Sequence, residues 1–222
     1  GSQQWSSVRF DTGMLGFSAR TSSSGLGSFS AAGFHLNHRG HTLGFETGSS
    51  QEAFRALGGP LASRFGGRDE TDTRFIAWMW SGPAGGGWQA SARFEQASAD
   101  ANLPDGIAMT RDISASAWSV GAERPLAGGQ FGLTLNQPLR IERGAVSVMV
   151  PVGLDEDYAY VYEERTASLS PSGRELSLEA SWRRDLTDRV DVTFAARFTD
   201  QPGHVANAPS EGLGWAAIRA RW

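Results

Sequence analysis

The sequence predicts an all-β fold, an up-and-down antiparallel β-barrel of about 12 strands, and three observations carry that expectation. Apolar and polar residues alternate with a period of two along most of the chain, the mark of strands with two unlike faces. Helical periodicity is hard to find. Short breaks such as "NHRG", "GPAGGG", "PLAGG", "PSG" and "LTD" punctuate the alternating runs, and their Gly, Pro, Asn and Asp suit tight hairpins.

Taken in order, candidate strands lie over 5–12, 13–21, 27–37, 41–48 and 73–82. In "WQASARFEQ", Trp88, Ala90, Ala92 and Phe94 oppose Gln89, Ser91, Arg93 and Glu95. A run over 111–124 follows. "FGLTLNQPLRIE" then sets Phe131, Leu133, Leu135, Leu139 and Ile141 against Thr134, Asn136, Arg140 and Glu142. Candidates at 144–152 and 157–169 come next. "RELSLEASWRR" opposes Leu176, Leu178, Ala180 and Trp182 to Glu175, Ser177, Glu179, Ser181 and Arg183. "VDVTFAARF" opposes Val190, Val192, Phe194, Ala196 and Phe198 to Asp191, Thr193 and Arg197. The final run, 213–222, groups Gly214, Ala216, Ile218, Ala220 and Trp222 against Arg219 and Arg221. Longer polar or Gly- and Pro-rich connectors fall at 49–72, 98–110 and 199–212, and within the first "QEAFRAL" suits a helical turn or two. No repeat or linker divides the chain, so 1–222 reads as one domain, with 1–12 as a linker or the first strand.

Composition narrows the function. A formal charge of −4 gives no basic footprint for nucleic acid. The absence of cysteine excludes a disulfide framework, thiolate chemistry and Cys-based metal sites. No run of about 18 apolar residues forms a membrane helix, which leaves spanning strands open. No charged segment followed by an apolar one opens the chain, so a secretion signal is expected to lie upstream or to have been removed.

Alternation alone fits two solutions, a soluble barrel or sandwich with an apolar core and a membrane barrel with apolar residues toward lipid. The apolar positions favour the second. They carry many alanines beside Leu, Val and Phe, and Trp78, Trp80, Trp88, Trp182 and Trp222 stand near strand ends, as in an aromatic girdle. The polar positions combine Arg and carboxylates: Arg93, Glu95, Arg140, Glu142, Glu179, Arg183, Arg197, Arg219 and Arg221 form a candidate charge network inside the lumen. The expectation is therefore a barrel of the outer-membrane type. A terminal strand ending in Ile218, Ala220 and Trp222 is similar to the C-terminal signal read by the bacterial barrel-assembly machinery, where Phe is the more usual last residue.

Three stretches, "FGLTLNQPLRIERGAVSVMVPVG", "ASLSPSGRELSLEASW" and "QPGHVANAPSEGLGWAAIRARW", resemble the C-terminal β-domain that follows subtilisin-like serine peptidases in alphaproteobacteria, best over 115–222. The resemblance implies an autotransporter-like anchor or translocator in the bacterial outer membrane, without chemistry of its own. Its partners would be the lipid bilayer, the assembly machinery and its own passenger peptidase. The alternative is a soluble all-β accessory or ligand-binding domain of a secreted peptidase, periplasmic or secreted.

Candidate chemistry is weighed against these readings. His35, His38 and His41 in "HLNHRGH" flank a hairpin turn that scatters them, so no metal site is expected. Glu46 has the type to orient a histidine beside a serine, but no nucleophile stands out by spacing. His204 in "QPGHVANAP" is assigned to ordering its loop. "LDEDY" lacks the spaced ligands and glycine of a calcium loop. No catalytic residue and no cofactor are expected.

Overall fold

The computed structural model describes residues 4–24, 27–53, 55–56, 59–60, 70–101 and 107–220. The strands are β1 (Gln4–Asp11), β2 (Leu15–Ser24), β3 (Gly27–His38), β4 (His41–Ala53), β5 (Arg55–Ala56), β6 (Gly59–Pro60), β7 (Glu70–Gly85) and β8 (Trp88–Ala101), then β9 (Ile107–Leu126), β10 (Gly129–Leu154), β11 (Tyr160–Ser168), β12 (Leu176–Thr187), β13 (Val190–Asp200) and β14 (Glu211–Ala220). Twelve of them form one antiparallel sheet in the order β1-β2-β3-β4-β7-β8-β9-β10-β12-β13-β14, with β11 also on β10; β5 and β6 make a separate two-stranded ladder. A single 3-10 turn, Pro202–His204, is the helical element among the described residues.

Neighbours in the chain are neighbours in the sheet, so the fold is a meander closed by hairpins. The tight turns after β1, β3, β7, β9 and β12 all lie at one rim. Arg39 and Gly40 both take positive φ, 50° and 81°, the backbone of a primed two-residue hairpin whose twist matches its strands. The sheet is also sheared. One row of directly opposed residues runs from Leu43, third in β4, through Trp80, Ala92, Val120, Leu135 and Leu178 to Phe198, ninth in β13. That is a stagger of about one residue per strand, the tilt on which barrel curvature depends.

Two strand boundaries differ from the alternation reading. Residues 144–152 are not a separate strand but the distal half of β10, which pairs with β12 over Gln130–Asn136 and with β11 over Ala145–Leu154. The chain returns along β10 as β11, breaks at 169–175, and resumes as β12, so β11 and β12 form one interrupted stave. The helical turn suggested for "QEAFRAL" is not formed among the described residues. β4 continues to Ala53, because Gln51, Glu52 and Ala53 pair with Asp72, Thr71 and Glu70.

Opposed residues share a face, and the two faces are inverted relative to a soluble protein. One face carries Ala31, Ala77, Ala97, Ala115 and Ala195, all buried, with buried Thr71, Thr73, Ser177 and Asp191 beside them. The other exposes Phe10, Phe17, Phe34, Trp78, Phe94, Val120, Leu178 and Phe194. No second layer covers the first face among the described residues, so its burial comes from the sheet curling over it. The inner face is small and polar; the outer face is large and apolar. Among the described residues no ladder joins β1 to β14.

Ala77 is 0% exposed, flanked in its row by Glu46 and Glu95. Ala77→Leu is expected to cost about 1–3 kcal/mol through overpacking, read as a lowered denaturant midpoint.

Candidate functional site: the charged inner face and the rim latch

The inner face carries ion pairs strung across strands. Glu46 on β4 accepts from Arg20 on β2 and lies 3.7 Å from Arg93 on β8, while Arg93 donates to Glu95 at 2.8 Å. Arg93 also donates to the Met79 sulfur at 3.1 Å. Further round the sheet, Arg197 donates to Glu179 at 2.6 and 3.0 Å, and Arg183 lies 3.3 Å from Asp191. Each carboxylate sits one or two strands across from its arginine, or two residues along the same strand, so period-2 alternation aims both groups inward. The lining between them is small: Ser91, Ser119, Gly121, Gly132 and Ser181 stand on this face near the short-turn rim. Apolar side chains also stand on it: Phe29 and Phe75, stacked with centroids 5.9 Å apart, Met79, the fully buried Ile113, and Leu213 and Trp215 on the last strand.

Of the residues expected in the lumen network, Arg93, Glu95, Glu179, Arg183, Arg197 and Arg219 stand on this inner face. Arg140 and Glu142 do not. The ladder between β9 and β10 shifts after Gln137, where Trp118 is opposed, to Arg140, where Ser116 is opposed. This bulge at Pro138, which has no N–H to donate, reverses the phase of β10 and turns Arg140 and Glu142 to the outer face. Arg221 and Trp222 lie outside the described residues.

The bulge creates a second cluster, which alternation could not foresee. Arg140 donates to the carbonyls of Gly173 (2.8 Å) and Pro171 (3.0 Å), clamping the break between β11 and β12. Glu142 accepts from Ser116 (2.9 Å) and Arg174 (3.0 Å) as well as from Arg140, and Gln137 accepts from Trp118 and Arg174. His204 completes the latch. Its Nδ1 accepts from the Glu175 amide at 2.9 Å, its Nε2 meets the Leu139 carbonyl at 3.1 Å, and its own carbonyl accepts from Gly173 N at 2.7 Å. Gly173 has no room for a side chain, because a Cβ there would press on Ala206 and the Gln201 side chain. The "QPLR", "PSGRE" and "PGH" stretches, remote in sequence, therefore form one hydrogen-bonded knot at the long-loop rim.

Aromatic residues form two rows on the outer face. Phe10, Phe17, Phe34, Phe45, Trp78, Phe94 and Trp118 are opposed in register across seven consecutive strands, with ring centroids 5.6 Å apart for Phe34–Phe45 and 4.7 Å for Phe45–Trp78. A second row nearer the short turns holds Trp88, Phe131, Trp182 and Phe194, and Trp182 donates to the Leu126 carbonyl at 2.9 Å. Trp80 lies between the rows, against His41. Phe94 and Trp88 bound the interval on β8 and are six residues apart, about 20 Å at strand rise. The phenylalanines of the first row were legible only as apolar positions; their alignment needed the register.

Among the described residues no group of three or more His, Asp or Glu is arranged to hold a metal ion. His35 turns inward to Asp11 at 3.3 Å, whereas His41 stacks outward on Trp80.

No protein-family model matches the chain. No curated protein matches it either. Among solved structures it is similar to CdiB from Acinetobacter baumannii, with a TM-score of 0.46 and 10% identity, over 99% of this chain and 50% of that one. The chain thus spans about half the length of that protein.

Glu46→Leu leaves Arg20 and Arg93 without their shared acceptor on a face where Glu46 itself is largely buried. The expected loss is about 1–3 kcal/mol, with Glu46→Gln losing less, measured by denaturant unfolding. His204→Ala removes two hydrogen bonds from the latch; faster proteolysis within 169–175, with the strands still protected, is the expected result.

Proposed function

We propose that this chain is a β-barrel domain of the bacterial outer membrane, acting as an anchor or translocator for a passenger and performing no catalysis itself. The observation that carries the reading is the inverted polarity of the sheet. Its buried face is made mostly of Ala, Ser, Thr and ion pairs, with Ile113 and a few aromatic residues among them, and its exposed face is Leu, Val, Phe and Trp with two aromatic rows. A soluble protein with this surface would expose one continuous apolar band, whereas lipid covers it at no cost. The rows, about 20 Å apart along strands tilted by about 40°, are separated by roughly 15 Å of height, which fits inside the apolar band of about 25 Å on such barrels.

In this reading Trp78, Trp88 and Trp182 belong to interfacial girdles, and Arg93, Glu95, Glu179, Arg183, Arg197 and Arg219 line and stiffen the lumen. Arg140 and Glu142 instead hold the rim latch. The resemblance to the β-domain that follows subtilisin-like peptidases supplies the passenger, a peptidase carried by the barrel. The three motif blocks that carry the resemblance are the ones that meet in the latch.

Purification decides between lipid and water as the solvent of the outer face. The chain is expected to aggregate in plain buffer and to fold in detergent into a heat-modifiable species on a gel; a monodisperse, cooperatively unfolding chain without detergent overturns the reading. Val120 gives a sharper test, because it is exposed between the aromatic rows. Val120→Arg should cost about 2–4 kcal/mol in lipid vesicles. On a solvated sheet the same change would be nearly neutral.

A further inference from the structure

Charge is unevenly spread over the outer face. Toward the long loops its ladder positions carry Asp72 and Asp100, opposed on β7 and β8, and Asp200 on β13. Toward the short turns, among the described residues, the Arg, Asp and Glu at ladder positions of that face reduce to Arg124 and Arg184. The ladder carboxylates of that half, Asp11, Glu123, Asp185 and Asp191, alternate onto the inner face. Neither Arg124 nor Arg184 enters a salt bridge among the described residues.

The two arginines stand astride one hairpin. β9 and β10 are joined by Ala127 and Gly128, with φ of 53° and 72°. On one side Arg124 lies in the second aromatic row, opposed to Phe131, with its guanidinium carbon 5.3 Å from the centroid of the Trp88 ring. On the other side the Trp182 ring covers Gly129, where a Cβ would come within 2.8 Å of it, and its indole donates to the Leu126 carbonyl at 2.9 Å. Arg184 is two residues nearer the rim, and its guanidinium rests beside Gly128, 3.5 Å from where a Cβ there would stand. Both cations are thus placed in or just beyond an aromatic row, with N–H donors open to an acceptor from outside the chain. Toward the middle of the sheet, Ala122, Leu133 and Ala180 continue the outer face as a low apolar floor.

We propose that this hairpin is a headgroup site for one anionic phospholipid, whose phosphate accepts from Arg124 and Arg184 and whose acyl chains lie along that floor. The assignment rests on the membrane reading above, in which short turns face the periplasm, so the lipid belongs to the inner leaflet. The two Cα positions are two strands and two residues apart, about 12 Å by strand spacing and rise, a span that two extended arginine side chains close around one phosphate. Charge selects the headgroup. Two cations with no carboxylate beside them favour a net negative lipid and give nothing to the ammonium of a zwitterionic one. Position selects a lipid over a soluble anion, because the phosphate carries acyl chains that the apolar floor covers.

The test folds the chain in detergent with equal amounts of phosphatidylglycerol and phosphatidylcholine of the same acyl chains, and counts the lipids it retains by native mass spectrometry. Phosphatidylglycerol should be retained over phosphatidylcholine by roughly tenfold or more, since each arginine beside an anionic headgroup is worth about fivefold. Arg184→Gln, which breaks no salt bridge among the described residues, should lose about fivefold of that preference, and Arg124→Gln combined with it should abolish the preference. The control pair, Arg39→Gln with Arg189→Gln, removes two arginines from other short turns and should leave the preference intact. Equal retention of both lipids by a folded, heat-modifiable chain overturns the site. So does a control pair as damaging as the double variant, which would mean unselective attraction by a basic rim. Displacement of phosphatidylglycerol by inorganic phosphate at the same concentration would make free phosphate the ligand and overturn it too. A chain that is folded and monodisperse without detergent sinks the membrane reading instead, and this inference with it.

Discussion

Cross-strand register is the constraint on which the rest of this structure depends. Because side chains alternate at every residue, slipping one strand by a single position would carry Phe94 to the inner face and Glu95 outward. The hydrogen-bonded ladders therefore do more than hold strands together. They decide that Ala77 stands between two glutamates and that Trp78, the next residue, faces Phe45 and Phe94. Ion pairs on one side and aromatic rows on the other each reinforce the same register, so neither face can change without the other.

The exception is as informative as the rule. At Pro138 the ladder slips, and the strand that continues beyond it presents charges where apolar residues stood before. That reversal falls beside the first aromatic row, one residue past Gln137, which opposes Trp118. Arg140 and Glu142 then reach the loop at 169–175, which interrupts the return stave, and His204 ties in the loop before β14. The rim is ordered mainly by side-chain to backbone hydrogen bonds rather than by ladder pairing, because 137–144 of β10, which run beside the break, pair with neither β11 nor β12.

Much of this is legible in the sequence. The strands around Phe94, Leu178 and Phe194 announce themselves through plain alternation, and the hairpins between them through Gly, Pro and Asn. The inward grouping of Glu179 with Arg197 follows from the same period. Arg140 was not legible, because a one-residue bulge changes face without changing composition. Nor was the length of β10, since alternation weakens around Arg143 and Gly144 although pairing continues past them on a different neighbour.

The sequence by itself determined that this protein is all-β, that its strands form a meander, and that each has one apolar and one polar face. Period-2 alternation and turn chemistry are local properties, readable within a few residues. Only the tertiary structure decided which face is buried, since apolar-in and apolar-out strands carry the same pattern. It also aligned seven aromatic residues into a row and drew three distant motifs into one latch. Those outcomes depend on register, shear and one bulge, which are relations between strands and not properties of any one of them.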